Sequence, residues 1–160
     1  MMLSSAISAA GTLTAVGASV SVVNVSVIKP LDVETITRTV SKVGAVITAE
    51  NHSVIGGLGS AVAETVAEAG LGRPLRRIGL RDTFAEGART VPYLFRKYRL
   101  GTQDIVDCAW ELLGREGKPP QVRAAEAAEG QYAPGSRRRT TWRKWYSARP
   151  ACSLPPADRP

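Results

Sequence analysis

One histidine and two cysteines are the only imidazole and thiol groups in this 160-residue chain. His52 alone cannot build a histidine-based metal site. Cys108 and Cys152 fall in what read as a helix and a tail, so neither a disulfide framework nor metal-ligand spacing can be drawn from them. A reducing, cytoplasmic setting fits that usage. Long apolar runs are also missing. The first 26 residues are small and apolar but lack a basic n-region, and they contain Gly11, Gly17, Asn24 and many Ser and Thr. They form neither an export signal nor a membrane span.

What is present suffices for one domain with one core: 44% of the residues are apolar. The formal charge of +7 suggests nucleic acid until it is located. Residues 1–114 hold 11 basic and 10 acidic side chains, whereas residues 115–160 hold 10 and 4. The basicity belongs to the tail, which also carries seven of the ten prolines and no sustained apolar period. Such a segment buries too little surface to offset the entropy of ordering, so residues 115–160 are expected to be disordered, with the boundary near Gly114.

Helical and strand patterns alternate within the first 114 residues. Met2 to Val16 reads as a helix stopped by Gly17. Val20, Val22, Val23, Val25 and Val27 make a β-branched run apolar on both faces, as in a buried parallel strand. Pro30 blocks a ladder donor, and Asp32 can accept from the first free amides of a helix over Val33 to Val43. Ala45 to Ala49 is a second strand, Ser60 to Ala69 a helix stopped by Gly70, and Leu75 to Leu80 a third strand. Arg81 to Thr90 reads as a loop, Val91 to Tyr98 as a short helix, and Thr102 as the cap of a last helix through Leu113. The sum is an open, mainly parallel α/β sheet of three strands with helices on both faces. A parallel unit normally opens with a strand feeding its first helix, and that strand is missing here. The backbone groups of a neighbouring strand therefore need another partner.

The segment AENHSVIGGLGSAVAE, Ala49 to Glu64, places three glycines in four positions before a helix. A dinucleotide fingerprint would need glycine where Val62 stands, and a P-loop would need lysine after Gly59, where Ser60 and Ala61 follow. A tight turn packed closely on another surface is therefore favoured over an anion cradle. The residues singled out for an interface or a site shared with other domains are Glu50, His52, Gly56, Gly57 and Gly59. His52 lies at the carboxyl end of a strand, where open α/β sheets place ligands. Ser53 has only the adjacent His52 as a base partner, which excludes triad geometry.

Four blocks in order, IKPLD at Ile28, TAENHSVIGGLGSAVAE at Thr48, RIGLRDTF at Arg77 and KYRL at Lys97, resemble the C-terminal domain of transketolase, in particular where that enzyme is split into two chains. The resemblance spans Met2 to Leu113. It implies a module of a thiamine-diphosphate enzyme that transfers a two-carbon ketol unit between sugar phosphates with a divalent metal. In that family this domain supports subunit packing and does not hold the cofactor. Nothing in the chain resembles the family's metal and diphosphate motif or its pyrimidine-contacting region. The implied partner is thus a cofactor-binding transketolase chain within an oligomer, and no catalytic, cofactor or metal residue is assigned here. Related domains close deoxyxylulose phosphate synthases and 2-oxo acid dehydrogenase components, which remain alternatives.

The chain departs from the family at identifiable places. Met1 stands where an opening strand and turn are usual, which implies N-terminal truncation and marginal stability alone. Ala85-Glu86-Gly87-Ala88 replaces a glycine-rich turn, and Arg99 replaces a common glycine. The tail has no counterpart in the family, and a truncated or shifted reading frame would account for both ends. Phe84 is expected to plug the core or a neighbouring subunit, Asp82 and Glu86 to be solvated or to cap turns, and Cys108 to be core. A rival of another class is a basic tail, Arg137 to Tyr146, whose cations and interleaved aromatics could grip nucleic acid without specificity.

Overall fold

Apolar side chains gather in two clusters, and a two-stranded sheet stands between them. The computed structural model describes residues 2–87 and 89–122. Its elements are helix α1 (Met2–Thr14), helix α2 (Val33–Val40), strand β1 (Val46–Ser53), helix α3 (Leu58–Glu68), strand β2 (Leu75–Leu80), helix α4 (Val91–Lys97) and helix α5 (Thr102–Leu112). β1 and β2 run parallel, with Val46 opposite Leu75 and Ala49 opposite Ile78. The register then slips before Ser53 meets Leu80. On one face, α1 and α5 pack Ala9, Leu13, Ile105 and Val106 with Ile78. On the other, α2 and α3 pack Ile36, Val40, Val62 and Val66. The result is the expected three-layer arrangement with helices on both sides.

Local signals explain where the elements begin and end. In α1 the buried residues Met2, Ser5, Ala9 and Leu13 recur every three or four positions, which places them on one stripe. Gly17 then takes φ +81°, and the amide of Ala18 donates to the Leu13 carbonyl at 3.1 Å, closing the helix end. Asp32 caps α2 by accepting from the Thr35 amide at 2.9 Å. Thr102 is not the cap of α5. Gly101 holds that position, and its amide donates to the Asp104 carboxylate at 2.9 Å while Thr102 is buried. A threonine at the first buried turn satisfies the same sequence pattern as a cap, so the two readings could not be told apart by spacing.

The valine run corrects the expected sheet. Residues 20–27 form no ladder, and the sheet among the described residues has two strands, not three. Val20, Val22, Val23 and Val27 are exposed, and only Val25 packs on the α2/α3 cluster. β-Branched residues favour extended backbone, yet a strand needs a neighbour's amides and carbonyls within reach. A cavity separates this run from β1.

Two further placements differ from expectation. Phe84 does not plug the core but stands 99% exposed in the loop after β2. Glu86 is not simply solvated: it pairs with Lys97, which holds its carboxyl below the usual range, and its amide donates to the Tyr98 hydroxyl at 2.9 Å. Residues 115–122 lie against α5. The Trp110 indole donates to the Gly117 carbonyl at 3.3 Å, the Val122 amide donates to Gln103 Oε1 at 2.9 Å, and Arg115 reaches the Val16 carbonyl at 2.8 Å. Residues 123–160, including Cys152 and the stretch Arg137 to Tyr146, lie outside the described residues.

Arg99 occupies a left-handed backbone position, φ +55°, just after α4. Left-handed backbone costs a side-chain-bearing residue about 1–2 kcal/mol, and the exposed pair of Arg99 with Asp104 at 3.0 Å returns about 0–1 kcal/mol. Arg99→Gly is therefore expected to be as stable as the parent or more so. Arg99→Val should lose on the order of 1–2 kcal/mol in urea unfolding, because a β-branched side chain tolerates this region worst.

Candidate functional site

The amides that open α3 are already occupied. Glu50, on β1 and 5% exposed, accepts from the Leu58 amide through Oε2 at 2.8 Å and from the Gly59 amide through Oε1 at 2.9 Å. A helix N-terminus concentrates positive potential on free N–H groups, and this carboxylate answers it with both oxygens. The strand positions it: Thr48, Glu50 and His52 alternate along β1 and so share the face that meets α3.

The glycines are what let Glu50 come so close. A Cβ on Gly57 would lie 2.8 Å from the Ser53 carbonyl and 2.7 Å from His52 Cε1, besides meeting the Glu50 carboxylate. One on Gly59 would fall 2.8 Å from Thr48 Oγ1 and press into the Arg77 stem. Gly56 serves differently: its φ of +70° makes the turn, and its amide donates to Ser60 Oγ at 3.1 Å. His52 Nε2 stands 3.3 Å from Glu50 Oε2, with its side chain 55% exposed. Glu50, His52, Gly57 and Gly59 thus converge on one point, and Gly56 shapes the loop beside it.

Residues outside that set complete the arrangement. Arg77 Nη1 donates to the Val54 carbonyl at 3.0 Å and to Ser60 Oγ at 3.3 Å, and Ser60 Oγ donates to the same carbonyl at 2.9 Å. Gly79 also lies close against Val54 and Glu50. The available signal for Arg77 was a basic residue at an inward position of β2, legible only once the α3 face had been assigned. No group of three His, Cys, Asp or Glu side chains that could hold a metal occurs among the described residues.

A diphosphate does not fit this helix start. It would compete with a buried carboxylate for the same two amides, and like charges repel at that range. The arrangement fixes a bend and commits both Glu50 oxygens to it. Because the β1 and β2 loops leave the same end of a parallel pair, Ile55, 63% exposed, and Phe84 emerge on one edge with His52.

Removing these contacts should destabilise in a graded order under urea unfolding. Gly57→Ala is expected to cost about 1–3 kcal/mol by overpacking. Glu50→Gln turns an amide group toward a backbone N–H and should cost a similar 1–3 kcal/mol. His52→Ala, half in solvent, should stay within about 0.5 kcal/mol. Cys108, packed against the α1/α5 cluster, has its thiol pushed up by burial. In a Cys152→Ser chain at pH 8, Cys108 should react with iodoacetamide more slowly than a free thiol and speed up in denaturant.

Residues 1–105 match the family described as transketolase, C-terminal domain. The chain is 46% identical over 116 residues to a 6-deoxy-6-sulfo-D-fructose transketolase subunit of Clostridium sp. (strain MSTE9), covering 72% of this chain and 35% of that one. It is 41% identical over 106 residues to a 1-deoxy-D-xylulose-5-phosphate synthase of Caldanaerobacter subterraneus subsp. tengcongensis, covering 66% of this chain and 17% of that one. Among solved structures it is similar to a split gene transketolase described as an inactive beta4 tetramer, with TM-score 0.65 and 39% identity over 72% of this chain and 37% of that one. It therefore spans well under half the length of each of these relatives. The chain, with its parallel sheet covered by helices on both faces, belongs to the transketolase C-terminal domain family.

Proposed function

We propose that this chain is the cofactor-free C-terminal module of a thiamine-diphosphate-dependent transketolase and works only when docked to a separate cofactor-binding chain. The complete enzyme would transfer a two-carbon ketol unit between sugar phosphates, with thiamine diphosphate and a divalent metal held by the partner. The observation that carries this reading is the carboxyl edge of the sheet. There the chain's own Glu50 fills the helix start that a diphosphate could use, while Ile55 and Phe84 present apolar surface outward. Isolated exposed apolar residues are ordinary, but two on one functional edge beside His52 suit an interface better than solvent. The 6-deoxy-6-sulfo-D-fructose named for the Clostridium relative adds a 6-substituted ketose as one donor to try. A second reading, the closing domain of a deoxyxylulose phosphate synthase, is favoured by the 41% identity to that enzyme.

The test mixes the purified full chain with the thiamine-diphosphate-binding chain encoded beside it. Co-elution and a gain of ketol transfer from a ketose phosphate to an aldose phosphate are expected, with no turnover by this chain alone. Phe84→Ser and Ile55→Ser should each weaken co-elution at least several-fold. Neither co-elution nor a gain in activity would defeat the proposal. A product formed from pyruvate and glyceraldehyde 3-phosphate would favour the synthase reading instead.

A further inference from the structure

Phe84 stands 99% exposed, yet the backbone that carries it is tied down. Residues 82–87 belong to no helix or ladder, and among the described residues no backbone–backbone hydrogen bond holds them. Lys97 and Tyr98, at the end of α4, take that role. The Tyr98 hydroxyl accepts from the Glu86 amide at 2.9 Å and donates to the Phe84 carbonyl at the longer 3.4 Å, so one phenol bridges the two peptide groups that flank Ala85. The Glu86 carboxylate turns back to pair with Lys97, and Arg89 Nε lies 3.6 Å from its other oxygen.

The clamp is itself anchored. The Tyr98 ring packs with Phe95 against the α1/α5 cluster, its amide donates to the Leu94 carbonyl at 2.9 Å, and Leu100 beside it is buried. Lys97 Nζ lies 5.8 Å over the Tyr98 ring, and Arg89 stacks on Tyr93 at 5.5 Å. A lone exposed aromatic is ordinary, and on a loose loop it would carry no meaning. Here the loop is ordered by side chains reaching out from the core. That ordering costs conformational entropy which Phe84, in contact with almost nothing, does not return within this chain. An aromatic anchor on backbone already fixed loses less on binding than one that must first be ordered.

We propose that Tyr98 is a positioning residue, whose hydroxyl holds the 84–86 backbone so that Phe84 stands ready as the aromatic anchor for an apolar recess on the cofactor-binding chain. The recess rests on the docking reading given above, whereas the clamp is a property of this chain alone. Removing the hydroxyl but not the ring leaves the core contact in place and frees the loop. The docking-competent fraction then falls, and the apparent affinity falls with it.

Two measurements on the full chain test this. Limited chymotrypsin digestion, read by mass spectrometry at the 84–85 bond, should cut Tyr98→Phe at least about threefold faster than the parent, because cleavage follows the population of the open loop. Titration with the thiamine-diphosphate-binding chain encoded beside it should show Tyr98→Phe weakening binding roughly three- to tenfold, with no further effect of the same change in a Phe84→Ala background. If Tyr98→Phe does not fold by circular dichroism, Lys97→Met, which releases the Glu86 carboxylate from the same helix end, replaces it in both measurements. Cleavage of the parent as fast as the variant, or equal weakening in both backgrounds, would overturn the proposal. A parent chain that shows the cleavage difference but does not bind the partner would defeat the docking reading and the anchor role together, and leave the clamp standing.

Discussion

The Glu50 carboxylate at the start of α3 is the interaction on which the local architecture turns. Hydrogen bonds to a charged group contribute about 1.5–3 kcal/mol each, and a helix N-terminus adds up to about 2 kcal/mol in a partly buried setting. Withdrawing a carboxylate from water costs several kcal/mol, so the net gain is small. Removal is the larger effect, because a buried and a half-buried amide would then lose their partner. The contact therefore fixes position more than it stabilises. It locks β1 to α3 across the Ser53 to Gly57 bend, and Arg77 and Ser60 then tie that bend to β2 through the Val54 carbonyl.

Function follows from what this lock leaves exposed. With the helix start filled from within, the carboxyl edge exposes His52 and two apolar side chains and leaves no free cradle for a phosphate at these amides. The opposite weakness lies in the middle layer. β1 is paired on one edge only among the described residues, while a β-branched segment stands across a cavity from the other.

Much of the order of elements was legible because the signals are local. Gly17, Asp32, Gly70 and the spacing of Ile36, Val40, Val62 and Val66 act over one or two turns, and the structure uses each of them. β1 was harder. Glu50, Asn51, His52 and Ser53 are poor strand formers, so propensity ends the strand at Ala49; pairing of Ser53 with Leu80 carries it onward. Val20 to Val27 failed in the other direction. Its propensity is high, but propensity supplies no partner.

The sequence by itself determined the helices and their buried faces, the glycine bend, the family and the concentration of basic residues after residue 114. Each of these is written in spacing, backbone permissiveness or composition over short distances. Only the tertiary structure decided that Glu50 turns inward to occupy α3, that Arg77 holds the bend, that Phe84 faces solvent, and that a gap stands beside β1. Those outcomes depend on which edges and faces meet across tens of residues, and such meetings are fixed by packing that no local pattern encodes.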